Sequence, residues 1–301
     1  SDGKYTPQEL MSIYREEGYS FLAITDHAVY SDYSQQNRPD FLTLPGVELH
    51  CFQTKTPRGA LGHHIVGLGL PGQNKFEHGY RFEYDCSPDK GATPDELIQW
   101  LTKGGNVCIY AHPYWHRVKA AELLAIDGIF GLETYNHTCQ LHSATGNSEG
   151  YLDHLLWEGR RAFTFASDDT HGKGEAFGGF VMVKAPELTH EAVMKAILDG
   201  SFYSSTGPAI EDFYVEDGTA VLTCSPCRMV GILADNMVGR GETNPNADLT
   251  RLVYPLNGKE QYVRAVCEDA QGHRALSFLP GTGTHVVAGH MELDGMDQQI
   301  P

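Results

Sequence analysis

In Phe163-Thr164-Phe165-Ala166-Ser167-Asp168-Asp169-Thr170-His171 an apolar run stops at two carboxylates and a histidine. A buried parallel strand that delivers ligands at its C-terminal end has this form. Asp169 and His171 stand two apart, so in extended chain they point the same way and can share one metal. That parity makes Asp169, rather than Asp168, the ligand. The form recurs along the chain. The apolar run at 19–24 ends in Thr25-Asp26-His27, and the run at 107–110 passes into Ala111-His112-Pro113, where proline fixes the backbone beside His112. Glu48 interrupts the apolar stretch 41–49, where an unpaired charge would cost several kcal/mol. Of the adjacent His63 and His64 only one can face a site, and parity with Val66 and Leu68 selects His64.

Taken singly, each of these residues has an ordinary structural explanation, such as a salt-bridged strand residue or a polar turn. Taken together, His27, Glu48, His64, His112, Asp169 and His171 are a mixed imidazole and carboxylate donor set without cysteine. Such a set suits Zn²⁺, Mn²⁺ or Fe²⁺ better than Ca²⁺. Six donors exceed one tetrahedral ion, so two to three divalent metals are expected. Asp26 and Asp168 read as carboxylates that orient the neighbouring ligands. His116, Arg117, Asn136 and His137 lie just past strand ends, where a substrate would be met.

The elements that must position these residues are legible from local signals. Thr6-Pro7-Gln8-Glu9 and Thr93-Pro94-Asp95-Glu96 are capping boxes that open helices ending near Gly18 and Gly104. Shorter helices are expected at 120–126, 150–159 and from Thr189 to Gly200, and strands at 64–70, 129–135, 162–166 and 179–184. Residues 71–92 read as a long surface loop. This alternation of strand and helix predicts a parallel α/β barrel or sheet with its site at one end of the strands. From about residue 210 the helical signals vanish and short alternating strands follow, separated by Asp217-Gly218, Asn257-Gly258 and Gln271-Gly272. This predicts a small β-sandwich-like domain. The expected division is a metal-binding barrel at 1–205, a β domain at 206–285 and a tail at 286–301.

Composition narrows the partners. The 301 residues carry a formal charge of −17, which disfavours duplex nucleic acid and anionic membranes. A small phosphorylated substrate is compatible with that charge, because bound divalent ions invert the local potential. Seven scattered cysteines fit a reducing, cytoplasmic compartment. Cys224-Ser225-Pro226-Cys227 lacks a second pair and reads as structural.

At this point the sequence resembles the PHP (polymerase and histidinol phosphatase) family of metal-dependent phosphoesterases. The resemblance rests on Ser1-Asp2-Gly3, Ile24-Thr25-Asp26-His27, Pro45-Gly46-Val47-Glu48, His64-Ile65-Val66-Gly67-Leu68, Ala111-His112-Pro113 and Ser167-Asp168-Asp169-Thr170-His171. It covers about residues 1–205, and the junction at 200–208 is similar to that of a two-domain branch. It implies a distorted (β/α)7 TIM-like barrel with a trinuclear site held by Asp2, His27, Glu48, His64, His112, Asp169 and His171. It also implies hydrolysis of a small phosphate ester, nucleotide or short oligonucleotide, with His112, His171 and Asp169 nearest the chemistry. The family opens with a His-x-His strand just before the Ser-Asp-Gly turn at which this sequence begins. The expectation is therefore a site poorer in metal and lower in activity. Two other readings stand beside this one: a C–N hydrolase on a similar barrel, and a binding module whose site has decayed.

Overall fold

The computed structural model describes residues 2–280 apart from 57, 58, 89 and 236–237, so the expected tail at 286–301 lies outside the described residues. The first half runs α1 (Pro7–Glu16), β1 (Phe21–Ala23), β2 (Leu42–Leu44), β3 (Gly46–Thr56), β4 (Gly59–Gly69), α2 (Pro94–Lys103), β5 (Asn106–Ala111), α3 (Pro113–His116) and α4 (Ala120–Leu124). There follow β6 (Gly131–Asn136), α5 (His137–Ser143), α6 (Glu149–Trp157), β7 (Phe163–Ser167), β8 (Phe180–Val183), α7 (His190–Leu198) and β9 (Phe202–Ser205). The remainder is strand: β10 (Ile210–Glu216), β11 (Thr219–Cys227), β12 (Met229–Ala234), β13 (Gly239–Thr243), β14 (Leu249–Pro255), β15 (Tyr262–Glu268) and β16 (Arg274–Pro280).

Both capping boxes form. Thr6 and Thr93 each accept from the amide three residues on, while Glu9 and Glu96 reach back to the cap. Each such cap contributes about 1 kcal/mol. No helix among the described residues is long and apolar enough to cross a membrane.

The expected (β/α)7 barrel is not what the chain builds. The described strands fall into four separate sheets, β1-β2, β3-β4-β5-β6-β7, β10-β11-β14 and β13-β12-β15-β16-β9-β8, and none closes. The reason lies in β3 and β4. A parallel barrel needs a crossover after every strand, but here two 11-residue strands pair antiparallel with Thr56 opposite Gly59. β5 is again antiparallel to β4, so that only β5-β6-β7 and β1-β2 are parallel. β8 and β9 leave the ligand-bearing sheet altogether and join the β-rich half, where Ala275 and Leu276 pair with Ser205 and Ser204.

The five-stranded sheet has two buried faces of different character. Val47, Leu49, Cys51, Ile65, Tyr110 and Leu132 pack against Leu97, Leu101, Leu123, Leu152 and Leu155 of α2, α4 and α6. A fully buried leucine is worth about 2 kcal/mol relative to exposure, so this helical side anchors the sheet. On the other face Leu68, Ile109 and Phe165 meet Val183, Val193 and Ile197 of β8 and α7. Glu48, His50 and His64 alternate with the helix-side residues and therefore face away from those helices. In the β-rich half, β10-β11-β14 faces the six-stranded sheet across a shared core that includes Phe213, Leu222, Leu252, Val230, Ile232 and Ala265. Arg264 reaches back from β15 to Asp153 of α6 through Nε and Nη2, at 2.6 and 2.7 Å, and ties the two halves together.

Candidate metal centre

Glu48 is the hub. It lies mid-strand in β3 and is buried, and its Oε1 is 2.7 Å from His64 Nδ1 and 3.3 Å from His112 Nε2, with Oε2 3.7 Å from His27 Nδ1. The backbone fixes these approaches. His64 pairs with His50 on β3 and with Ala111 on β5, while the chain at His27 bridges to Glu48 in parallel fashion. His63 takes the opposite face, in a 2.6 Å hydrogen bond with Tyr110, where burial pushes its pKa down to about 4.

The other ligands enter from backbone that turns sharply. Among the described residues eight non-glycine residues have positive φ; they include His112 (30°), Asp169 (54°) and Ala28 (53°), which follows His27. A left-handed L-residue costs roughly 1 kcal/mol or more and persists where surrounding contacts determine it. Pro113 starts α3 directly after His112, and His112 N–H donates to Glu133 at 2.9 Å. Asp169 is thus not in extended chain, and the two-residue parity with His171 is not what brings them together. A hydrogen bond does so: His171 Nδ1 lies 2.7 Å from the Asp169 carbonyl, which turns Nε2 toward Asp2 at 3.4 Å. Asp2 Oδ1 is also 3.9 Å from His27 Nε2.

Several expected roles are filled differently. Asn136 is fully buried, so it cannot meet a substrate. Its amide donates to Glu133 at 3.0 Å and Asp169 at 3.1 Å, while its Oδ1 caps α5 by accepting from Cys139 N–H. Asp168 accepts from Tyr14 and from the amides of Phe177, Gly178 and Gly179, which fixes the loop leading to β8. Asp26 accepts from Ser31. Arg117 stacks its guanidinium over Tyr114 at 4.7 Å, and His137 shares a hydrogen bond with Tyr135. His116 belongs with the donors: its ring centroid lies 4.6 Å from that of His64 and 5.1 Å from that of His112. It occupies space that only glycine at position 62 leaves open, since a Cβ there would meet its Nδ1 at 2.5 Å.

Sequence reasoning assigned no role to two neighbours, although both follow from patterns already in use. His50 shares the parity of Glu48 on β3, and its ring lies 5.5 Å from that of His64. Glu133 is a carboxylate inside an apolar strand, as Glu48 is. It accepts from His112 N–H, Asn136 and Ser167. His116 ends α3, and the left-handed turn at His112, rather than helical spacing, brings the two rings to 5.1 Å.

The donor atoms group into three overlapping sets, Asp2-His27-His171, His27-Glu48-His64 and His64-His112-His116, each within 4.8 Å. His27 Nδ1, His112 Nδ1 and His116 Nε2 are buried without a hydrogen-bond partner. A buried unpaired imidazole nitrogen is costly, and a cation is the partner that would satisfy a lone pair there. The residues present therefore fit divalent metal.

Electrostatics in the metal-free chain run the same way. Burial favours the neutral form of Glu48, but the hydrogen bonds and charges of His112 and His64 outweigh it and hold the carboxyl well below its usual range. Against its own burial, His112 is raised to about 9 by Glu48, Glu133 and Asp169. Asp169 is pushed up to about 7 by burial and by the charge of Glu48. Burial, then the neighbouring His64 and His112, drive His116 down to about 2.

A cavity of about 510 Å³ opens onto this cluster, with Asp2, His27, Glu48, His112, Asp169 and His171 in its wall together with apolar residues such as Leu44, Val66 and Phe165. A scan of the sequence against protein-family models returned no match, and a search of curated proteins returned none.

Proposed function

We propose that the chain is a metal-dependent hydrolase of small phosphate esters. The observation that carries this reading is the cluster of three overlapping donor sets, with buried unpartnered imidazole nitrogens, beside a cavity of substrate size that Asp2, His27, Glu48, His112 and His171 line. Asp2, His27, Glu48, His64, His112, Asp169 and His171 would hold two to three divalent ions, and His116 joins them at the His64-His112 end. When bound, such ions supply Lewis acidity toward phosphoryl oxygens and toward the attacking water. The motif resemblance to PHP phosphoesterases points the same way in chemistry, though not in the barrel.

The chain's own groups divide the remaining work. Asn136 and Glu133 hold Asp169 and His112 from behind. His171 is half-buried, with Nδ1 anchored on the Asp169 carbonyl, which leaves Nε2, turned toward Asp2, as the nitrogen that would reach an ion. Despite its burial, Asp169 and Asp2 hold it toward the protonated form. The apolar part of the cavity wall excludes water around a substrate's non-phosphate portion. With a net charge of −17 the chain offers little cationic attraction for phosphate, so the metal ions must supply it.

The test is turnover of phosphomonoesters and phosphodiesters with Mn²⁺, Zn²⁺ or Fe²⁺, comparing wild type with Asp169→Ala and His112→Ala. Activity that falls at least a hundredfold in both variants supports the reading. Equal rates in all three proteins, or no turnover by wild type with any of the ions, would overturn it.

A further inference from the structure

The CxxC stretch acquires a third member in the fold. Cys224, Cys227 and Cys267 are buried, at 1%, 0% and 0% exposure, in the core between the two sheets of the β-rich half. All three are free thiols, and their sulfurs lie within 4.8 Å of one another. In a regular strand residues three apart face opposite sides, so Cys224 and Cys227 could not both point inward. The ladder with β14 breaks here: Thr223 pairs with Arg251 and Cys227 with Leu249, so four steps along β11 span two along β14. Pro226 has no amide to give a ladder, which favours the irregularity. Ser225 secures it by pairing with Ala209, donating N–H to its carbonyl at 2.9 Å and accepting its N–H at 3.0 Å. Cys267 then arrives from the central strand β15 of the facing sheet.

The donor set is sulfur alone. Among the described residues no imidazole or carboxylate groups with these three thiols, and the surrounding core is rich in apolar side chains such as Phe213, Leu222 and Val230. A structural Zn²⁺ ion takes four ligands, whereas a soft monovalent ion is satisfied by fewer thiolates. We propose that Cys224, Cys227 and Cys267 form a site for one Cu(I) ion, separate from the histidine and carboxylate centre. Three thiolates around Cu(I) would leave two negative charges in an apolar core, which is costly. Binding therefore releases two protons and keeps one cysteine as a neutral thiol donor, giving a buried unit of net charge −1. No redox change is involved. The ion cross-links β11 to β15 and acts as a staple between the sheets.

The experiment refolds the full chain anaerobically with Cu(I) supplied as its acetonitrile complex, and in parallel with Zn²⁺. Copper retained against a Cu(I) chelator is counted, and X-ray absorption at the copper edge identifies the neighbours. The expected result is one copper per chain with sulfur neighbours only, and a higher melting temperature than the metal-free protein. Cys267→Ala and Cys224→Ala, which remain small and apolar, should fold by circular dichroism, bind copper at least tenfold more weakly and lose the thermal shift. Should either fail to fold, Cys267→Ser, which keeps the size of the side chain and removes the soft donor, provides the same comparison. Copper bound only through nitrogen or oxygen, retention undiminished without the thiols, Zn²⁺ held in preference, or a disulfide formed by two of the three cysteines would each overturn the site.

Discussion

Asn136 offers the sharpest test of how the centre is held. Its side chain does two separable jobs: Oδ1 caps α5 at Cys139, and the amide bridges the carboxylates of Glu133 and Asp169 at 3.0 and 3.1 Å. Asn136→Ala removes both. Loss of the cap costs about 1 kcal/mol, and two hydrogen bonds to charged groups are worth about 1.5 kcal/mol each at the low end. The expected destabilisation is therefore about 4 kcal/mol at pH 8, and modestly less at pH 5, where Asp169, pushed up to about 7, is protonated. Asn136→Asp keeps the cap but sets a third carboxylate against two others. One of the three must then hold a proton, so the new carboxyl has a folded pKa above its unfolded value. Stability contributed by such a raised acid is present at low pH and lost as pH rises through the folded value. Asn136→Asp should thus be nearer to wild type at pH 5 than at pH 8. Urea denaturation with a chelator present, at both pH values, measures this. Identical pH dependence in the two variants, or either lying within 0.5 kcal/mol of wild type, would refute the bridging role.

Three further outcomes are expected. Because His112 in the metal-free chain stays protonated up to about pH 9, and Asp169 up to about 7, an entering cation must displace protons; Mn²⁺ affinity measured by titration calorimetry should climb from pH 6 to 9, and a flat profile would count against ligation by His112. Gly62→Ala should push the His116 ring aside and lower the metal count by elemental analysis while leaving the fold intact, so an unchanged count would remove His116 from the donors. Asp153→Ala strands the buried Arg264 guanidinium and should cost about 3 kcal/mol, whereas adding Arg264→Met should recover most of it; a double variant as unstable as the single one would show that the cost lies elsewhere.

What the sequence made legible was chiefly local. The capping boxes at Thr6 and Thr93 are satisfied within four residues, so their helices could be read directly. Residues 26–27, 48, 64, 112, 169 and 171 stood out because polar groups interrupt or end apolar runs, a signal of burial that needs no knowledge of the fold. Pairing partners lie outside such signals. Residues 50–56 carry little strand signal beyond Cys51, which continues the buried alternation of Val47 and Leu49, and without them the β3-β4 hairpin is invisible. The alternation of helix and strand then suggested a barrel that the antiparallel register forbids. Asp169 shows a smaller failure of the same kind. Parity assumes extended chain, and a left-handed residue breaks the assumption. Cys267 is 40 residues from Cys227, so no spacing rule could have joined them.

The six-stranded sheet carries strands from both sides of residue 205, with β9 between β8 and β16. Thr164 of β7 donates its hydroxyl to the Leu276 carbonyl of β16 at 3.2 Å and accepts from Ser204 at 2.9 Å. The strand that leads to Asp169 is therefore sewn to the last described strand. A chain severed at residue 205 would expose the β9 edge and strip these anchors from β7, so neither piece is a natural fragment. The two halves should melt as one cooperative unit. Occupancy of the metal centre would then be felt as slower amide exchange in β15 and β16, although neither strand donates a ligand to it.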